Sequence, residues 1–278
     1  MSQGSVHVTC LVDNAVGDAA CWGEHGLSFL VEAGGHRVLY DTGLSGSVLG
    51  HNLDGLRIRT DDVQAIVLSH GHSDHTGGLQ AALLRCPNAA VYAHPDAFMS
   101  RFAVHQGKRM SVGCPVSREQ IERRARLHLT PAPVEIVPRV WTTGAIPRTV
   151  NAGTVRKQLL MEVKGQLEMD TFPDDQSLVI EAEGGLILLL GCCHSGLRNT
   201  LLHVAQTFRS PWRAVVGGSH LAGENAEELG QIVALLREQY ADGKLYLNHC
   251  TGIAVVARLR AELGERVSYC EAGTRLSF

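Results

Sequence analysis

The chain has 278 residues, 45% of them hydrophobic and 19% charged, with a formal charge of −3. That is long enough for one large domain and too apolar for a disordered chain. The near-neutral balance provides no basic field, so nucleic acid is not favoured as a partner. Fourteen histidines are the compositional outlier, and several sit beside Gly or Cys instead of on apolar faces. Met1-Ser2-Gln3-Gly4-Ser5 has neither the basic nor the apolar segment of an export signal, and the longest apolar run, around Leu186 to Leu190, is too short to span a bilayer. The expected setting is cytoplasmic, without a membrane partner. The eight cysteines are then mostly reduced thiols, and some can serve as metal ligands.

In chain order, residues 5–12 read as a strand, and residues 27–33 and 36–40 as a hairpin around Gly34-Gly35 with apolar side chains at every second position. Residues 65–69 are too apolar to face water and read as a central strand. Thr76 is expected to open a helix through Leu79, Leu83 and Leu84, ended by Pro87-Asn88, before a strand at 89–93. From 96 to 172, arginines and prolines interrupt the strand–helix rhythm, and the stretch reads as an inserted cap facing the substrate. A second hairpin follows at 178–182 and 186–190, then a helix at 197–208 and a strand at 214–217. The helix at 225–240 places Leu229, Ile232, Val233, Leu236 and Tyr240 on one face. A strand at 245–247, a helix at 253–263 and a strand at 267–270 close the chain. Two halves of strands followed by helices suggest two sheets face to face with helices outside, a four-layer αββα sandwich within the α/β class.

The densest chemistry lies at 66–78, where an apolar strand runs into His70, His72, Asp74 and His75 and glycines follow. Imidazole nitrogens and carboxylate oxygens are donors that zinc, iron and manganese accept. Four of them within six residues are costly to hold together unless a cation lies between them. A polar surface loop is the plainer alternative, and the strand before and glycines after weigh against it.

His70-Gly71-His72-Ser73-Asp74-His75 is an HxHxDH pattern, and with Asp41-Thr42-Gly43 at a strand end the chain resembles the metallo-β-lactamase fold superfamily over most of its length. The resemblance implies two divalent metal ions, zinc foremost, with iron or manganese as alternatives. His70 and His72 would hold one ion, Asp74 and His75 the other, and Asp41 would orient a ligand histidine from behind. Where the superfamily has an aspartate bridging the metals, this chain has Cys192, taken as a ligand, with a structural thiol as the alternative. The superfamily's third histidine is missing. Phe172-Pro173-Asp174-Asp175-Gln176-Ser177 occupies its place, and Asp174 or Asp175 is expected to substitute, with Asp175 taken as the ligand and one site correspondingly weak. His249 completes the second site. His220, after Gly217-Gly218-Ser219, is either an alternative terminal ligand or an acid/base group. Asp74, His194 and His220 are the candidate catalytic residues. His7, His25, His36, His51, His105, His128 and His203 lack such settings and read as surface residues.

A narrower set of segments resembles the 7,8-dihydropterin-6-yl-methyl-4-(β-D-ribofuranosyl)aminobenzene 5′-phosphate synthase family. They are SHGHSDHTGG, AHPDAF, GAIPR, FPDDQSLVIE, GCCHSGLRNT, GGSHL and HCTG. Arg148 in GAIPR, Ser195 and the helix start after Gly196 are candidates for holding a phosphate. The leading expectation is a metallohydrolase acting on a small phosphorylated or ester-like metabolite. A dihydropterin-directed transferase and a non-catalytic metal- or ligand-binding module are the alternatives. The expected partner is a small-molecule substrate, in a chain able to form a homo-oligomer.

Overall fold

The computed structural model describes residues 5–150 and 158–278. The expectations for the first four residues and for the 151–157 part of the 96–172 stretch lie outside the described residues. Strands β1 (His7–Val12), β2 (Ser28–Ala33) and β3 (His36–Tyr40) pair antiparallel in sequence. The β2–β3 turn is two glycines with φ of 58° and 81°, the left-handed pair that a tight hairpin requires. Helix α1 (Gly46–Gly55) crosses to β4 (Ala65–Val67), which runs parallel to β3. Short α2 (Ser73–Thr76) and α3 (Leu79–Arg85) lead to β5 (Ala90–Ala93), parallel to β4. Thr76 therefore closes a one-turn helix and does not open the longer one, because Gly77 and Gly78 pass too close to the backbone at Leu44 and Thr42 to carry side chains.

Next come β6 (Arg101–His105), β7 (Lys108–Ser111), α4 (Arg118–Glu122), β8 (Leu127–Leu129), β9 (Val134–Val137), β10 (Val140–Thr142), β11 (Leu159–Val163) and β12 (Gln166–Met169). The remainder is β13 (Leu178–Ala182), β14 (Gly185–Leu190), α5 (Leu197–Phe208), β15 (Trp212–Gly218), α6 (Ala226–Glu238), β16 (Lys244–Asn248), α7 (Ile253–Leu263), β17 (Val267–Tyr269) and β18 (Arg275–Ser277). One seven-stranded sheet has the order β18-β1-β2-β3-β4-β5-β8, the other β17-β16-β15-β14-β13-β10-β9. The 96–172 stretch divides between three places: β8 extends the first sheet, β9 and β10 extend the second, and β6, β7, β11 and β12 form a separate four-stranded sheet.

Side-chain alternation builds three apolar layers. Ala65 and Val67 face the core between the sheets, together with Phe29, Tyr40, Ile187, Leu189 and Val216. Ile66 and Leu68 face the other way, toward α1 and α3. On β14, Leu186, Leu188 and Leu190 pack beneath α5, α6 and α7 while their neighbours fill the inter-sheet core. Helices, two sheets and helices thus form the αββα sandwich, and β4 and β14 are apolar on both faces because both faces are covered. Strands β3–β5 and β14–β16 are parallel, so several strands end together, where α/β proteins place their ligands.

A buried ion cluster ties the small sheet to this edge. Arg101, 1% exposed, places Nε 2.9 Å from Asp170 Oδ2 and Nη2 2.6 Å from Asp174 Oδ1. Asp174 Oδ2 accepts the Gly71 N–H at 2.7 Å. Burial pushes Asp174 up to about 6 even against the Arg101 charge. Arg101→Leu would leave two buried carboxylates without their cation and should destabilise the protein by about 3–5 kcal/mol, read as a lowered urea midpoint.

Candidate metal centre

Asp41 follows β3 directly, in the left-handed region (φ 57°) and fully buried. Its Oδ1 accepts the Ser69 N–H (2.7 Å), and its Oδ2 accepts the Ser69 hydroxyl (2.7 Å) and His75 Nδ1–H (2.6 Å). With its proton given to Asp41, Ser69 Oγ accepts His70 Nδ1–H at 2.9 Å. This wiring places a proton on Nδ1 of both His70 and His75 and turns both Nε2 atoms toward the site. His70 is neutral with Nε2 bare. Burial opposes a charge on His75, but Asp74 and Asp41 outweigh it and push His75 up to about 9, so a cation would displace its Nε2 proton. Asp41 thus contacts His75 directly and His70 through Ser69.

Two principal groups of donor atoms converge. His70, His72 and His194 form one, and Asp74, His75, Cys192 and His249 the other. His194 Nε2 lies 3.2 Å from His70 Nε2, and His75 Nε2 3.1 Å from Cys192 Sγ. Asp74 Oδ2 lies 3.7 Å from His75 Nε2 and 3.4 Å from His249 Nε2. Tetrahedral zinc, with Zn–N near 2.0–2.1 Å, has ligand–ligand edges of roughly 3.3 Å. The Nε2 atoms of His72 and His249 are buried and make no hydrogen bond. Burial and the neighbouring imidazoles hold His70 and His194 well below the ordinary histidine range, which leaves them neutral, the form that binds metal. The nitrogen, oxygen and sulfur donors, their spacing and the orphaned nitrogens fit divalent cations of the zinc or iron type.

The acidic segment behaves differently from the sequence expectation. Asp175 accepts the Ser195 N–H at 2.7 Å and joins neither donor group among the described residues. Asp174 is held by Arg101 and Gly71. The third imidazole comes instead from His194, whose ring stacks on Phe172 at 3.8 Å. The two aspartates brace the loops on either side, and His194 does the converging. Ser195, 1% exposed and bonded to Asp175, is not presented to a phosphate. His220 joins a third group with Cys192 and His194, so it lies at the site.

Cys192 is pushed well above the ordinary thiol range by burial and by neighbouring Cys250, Asp74 and Asp175, so its thiolate requires a cation beside it. Asp74 is held well below the usual carboxylate range: burial opposes this, and His75 and His249 outweigh it. A cavity of about 420 Å³ opens onto His194 and His220, with Phe172, Leu221 and Ile232 in its walls. Arg148 and the start of α5 at Gly196, Leu197 and Arg198 also line it. Phe172, Cys193, His220 and His249 share the left-handed backbone of Asp41, with φ between 48° and 59°. Non-glycine residues adopt it only when their surroundings force it.

Sequence reasoning missed Asp170, Asn14 and His25. His72 Nε2 lies 3.7 Å from Asp170 Oδ2, and His25 Nε2 lies 3.4 Å from Asp74 Oδ2, so His25 is exposed as expected and also adjoins the second donor group. The available signal was Asp13-Asn14 directly after strand β1, the same strand-then-acid pattern as Tyr40-Asp41.

The chain belongs to the metallo-beta-lactamase superfamily, whose family model matches residues 22–154. It is similar along nearly its whole length to two proteins of Methanocaldococcus jannaschii. One is 7,8-dihydropterin-6-methyl-4-(beta-D-ribofuranosyl)-aminobenzene-5'-phosphate synthase, at 28% identity over 97% of this chain and 95% of that protein. The other is the uncharacterized protein MJ0448, at 31% identity over 91% of this chain and 93% of that protein. The crystal structure of Tm1679, a metal-dependent hydrolase of the beta-lactamase superfamily, matches with a TM-score of 0.83 and 28% identity over 98% of each chain.

A Cβ on Gly191 would overlap the Ser69 side chain, which links Asp41 to His70. Gly191→Ala should lower the stability of metal-free protein by about 1–3 kcal/mol in chemical denaturation, through overpacking alone. It should also weaken metal uptake, because Ser69 cannot move without releasing His70.

Proposed function

We propose that this chain is a dinuclear metal-dependent hydrolase, zinc-loaded by preference, acting on a small phosphorylated or ester-like metabolite. The observation that carries the reading is that the two donor groups adjoin through Cys192 and His194, which converge with His220, and that His194 and His220 also line the neighbouring cavity. His70, His72 and His194 would hold one cation, and Asp74, His75, Cys192 and His249 the other. A cation pair so held supplies Lewis-acid polarisation of a phosphoryl or carbonyl oxygen and a lowered pKa for water.

The remaining work falls to the chain's own groups. Arg148 and the backbone N–H groups at the start of α5 sit on the cavity wall, where they suit a phosphate. Phe172 and the ring of His194 stacked on it present a flat apolar face to the body of the substrate. Asp74, ionised throughout the ordinary pH range, accepts a hydrogen bond from an attacking nucleophile and orients it. His220 lines the cavity with Nδ1 making no hydrogen bond, and it is placed to give a proton to the leaving group.

A second reading is favoured by the similarity to the synthase over 97% of the chain. There the cavity would hold a dihydropterin ester and an arylamine, with the arylamine attacking in place of water. The residue roles stay the same and only the nucleophile differs.

Metal analysis comes first: about two equivalents per chain are expected, lost on dialysis against a chelator together with activity. Loaded protein should then release phosphate or acid from a panel of phosphate esters, phosphodiesters, lactones and thioesters. Consumption of a dihydropterin diphosphate only when an arylamine is present would replace the hydrolase reading with the transferase. Loaded protein silent on every substrate would overturn both. In an active assay, Arg148→Ala should raise KM for a phosphorylated substrate about tenfold, the worth of one hydrogen bond to a charged group. His220→Asn should lower kcat about a hundredfold with a smaller effect on KM.

A further inference from the structure

The second donor group has a support that its ligands do not themselves supply. Where β1 ends, Asp13 is fully buried, and its Oδ1 accepts the backbone N–H of His249 at 2.8 Å. Its Oδ2 accepts the Ala15 N–H at 2.9 Å and the Tyr269 hydroxyl at 3.2 Å, so the loop after β1 is fixed against the loop after β16. Asn14 is thereby set between two imidazoles. Its Oδ1 lies 2.9 Å from His249 Nδ1, and its Nδ2 lies 3.2 Å from His25 Nδ1.

A carboxamide has one accepting and one donating end, so this geometry fixes both rings. Oδ1 must receive a proton, which puts it on His249 Nδ1 and leaves His249 Nε2 bare, the same nitrogen that is buried without a hydrogen bond. Nδ2 gives a proton to His25 Nδ1, so His25 carries its own on Nε2. That nitrogen lies 3.4 Å from Asp74 Oδ2, on the oxygen that also faces His75 and His249. The order is therefore His249 to Asn14 to His25 to Asp74, a loop of contacts that begins and ends on ligands of one site.

We propose that Asn14 and His25 are positioning residues of the second metal site: Asn14 selects the tautomers of His249 and His25, and His25 sets the orientation of the Asp74 carboxylate. The inference rests on the reading that Asp74, His75, Cys192 and His249 hold a cation. His25 is reached from solvent, with its side chain 66% exposed, so it forms the outer wall of this site while Asp41 forms the inner one.

The test is zinc affinity, measured by competition with a chromogenic chelator on the full chain, with the thermal midpoint of the metal-free protein measured in parallel. His25→Ala should weaken one of the two zinc equivalents about tenfold, and Asn14→Ala by up to about a hundredfold, the usual range for partners behind a ligand. His25→Phe keeps the ring against His249 without its nitrogens and should match His25→Ala. Because Asn14 acts on Asp74 only through His25, the losses in the double variant Asn14→Ala/His25→Ala should be less than additive. Parental zinc affinity in His25→Ala, full rescue by His25→Phe, strictly additive losses, or an equal loss of stability in the metal-free protein would each overturn the proposal. Failure of the parent to bind zinc would overturn the metal reading itself, so the two failures are distinguishable.

Discussion

The Asp41 carboxylate is the constraint on which both donor groups depend. A buried carboxylate without partners would cost several kcal/mol, and here three donors satisfy it: Ser69 N–H, Ser69 O–H and His75 Nδ1–H. Those bonds lock the ends of β3 and β4 together. They set the tautomer of His75 directly and that of His70 through Ser69. Gly191 then fits against Ser69 with no room for a side chain, which brings the β14 turn and Cys192 to the same point. One carboxylate thus aligns groups from both sheets before any cation is considered.

Around it the charges are arranged in separate compartments. Arg101, Asp170 and Asp174 form an ion cluster behind His72, so both acidic groups there are already paired with one guanidinium. Asp175 is bonded to the Ser195 N–H and stays out of the donor groups. Asp74 alone among these carboxylates faces the second group of donors and remains partly accessible. Buried imidazoles with one ionised carboxylate and a thiol are a donor set that a divalent cation completes, and water alone would serve it poorly.

The fold was readable because its apolar pattern is unambiguous. Period-two alternation at β2–β3, the all-apolar β4 and β14, and the single apolar face of α6 each admit one packing. The HxHxDH run and the strand-then-histidine segments at 220 and 249 were readable for the same reason, since each pairs a strand end with a ligand type. Strand β18 was not, because three residues with only Leu276 apolar carry no period. The division of the 96–172 stretch among three sheets was not readable, because its strands are short and lie between irregular loops. The exchange of Asp175 for His194 depends on which of two neighbouring loops turns inward. His25 was missed because its link to Asp74 runs through space, with no sequence pattern to announce it.

Asp41, Phe172, Cys193, His220 and His249 all stand on left-handed backbone, a conformation that disfavours any residue with a Cβ by roughly 1–3 kcal/mol where it is bulky. Gathered at one edge, these positions mean that the site is held in place against local preference by the apolar layers beneath it. Stability and function therefore pull in opposite directions here. Glycine at Asp41, Phe172, His220 or His249 would relax the backbone while deleting a side chain that builds the site, so robustness alone would not retain these residues.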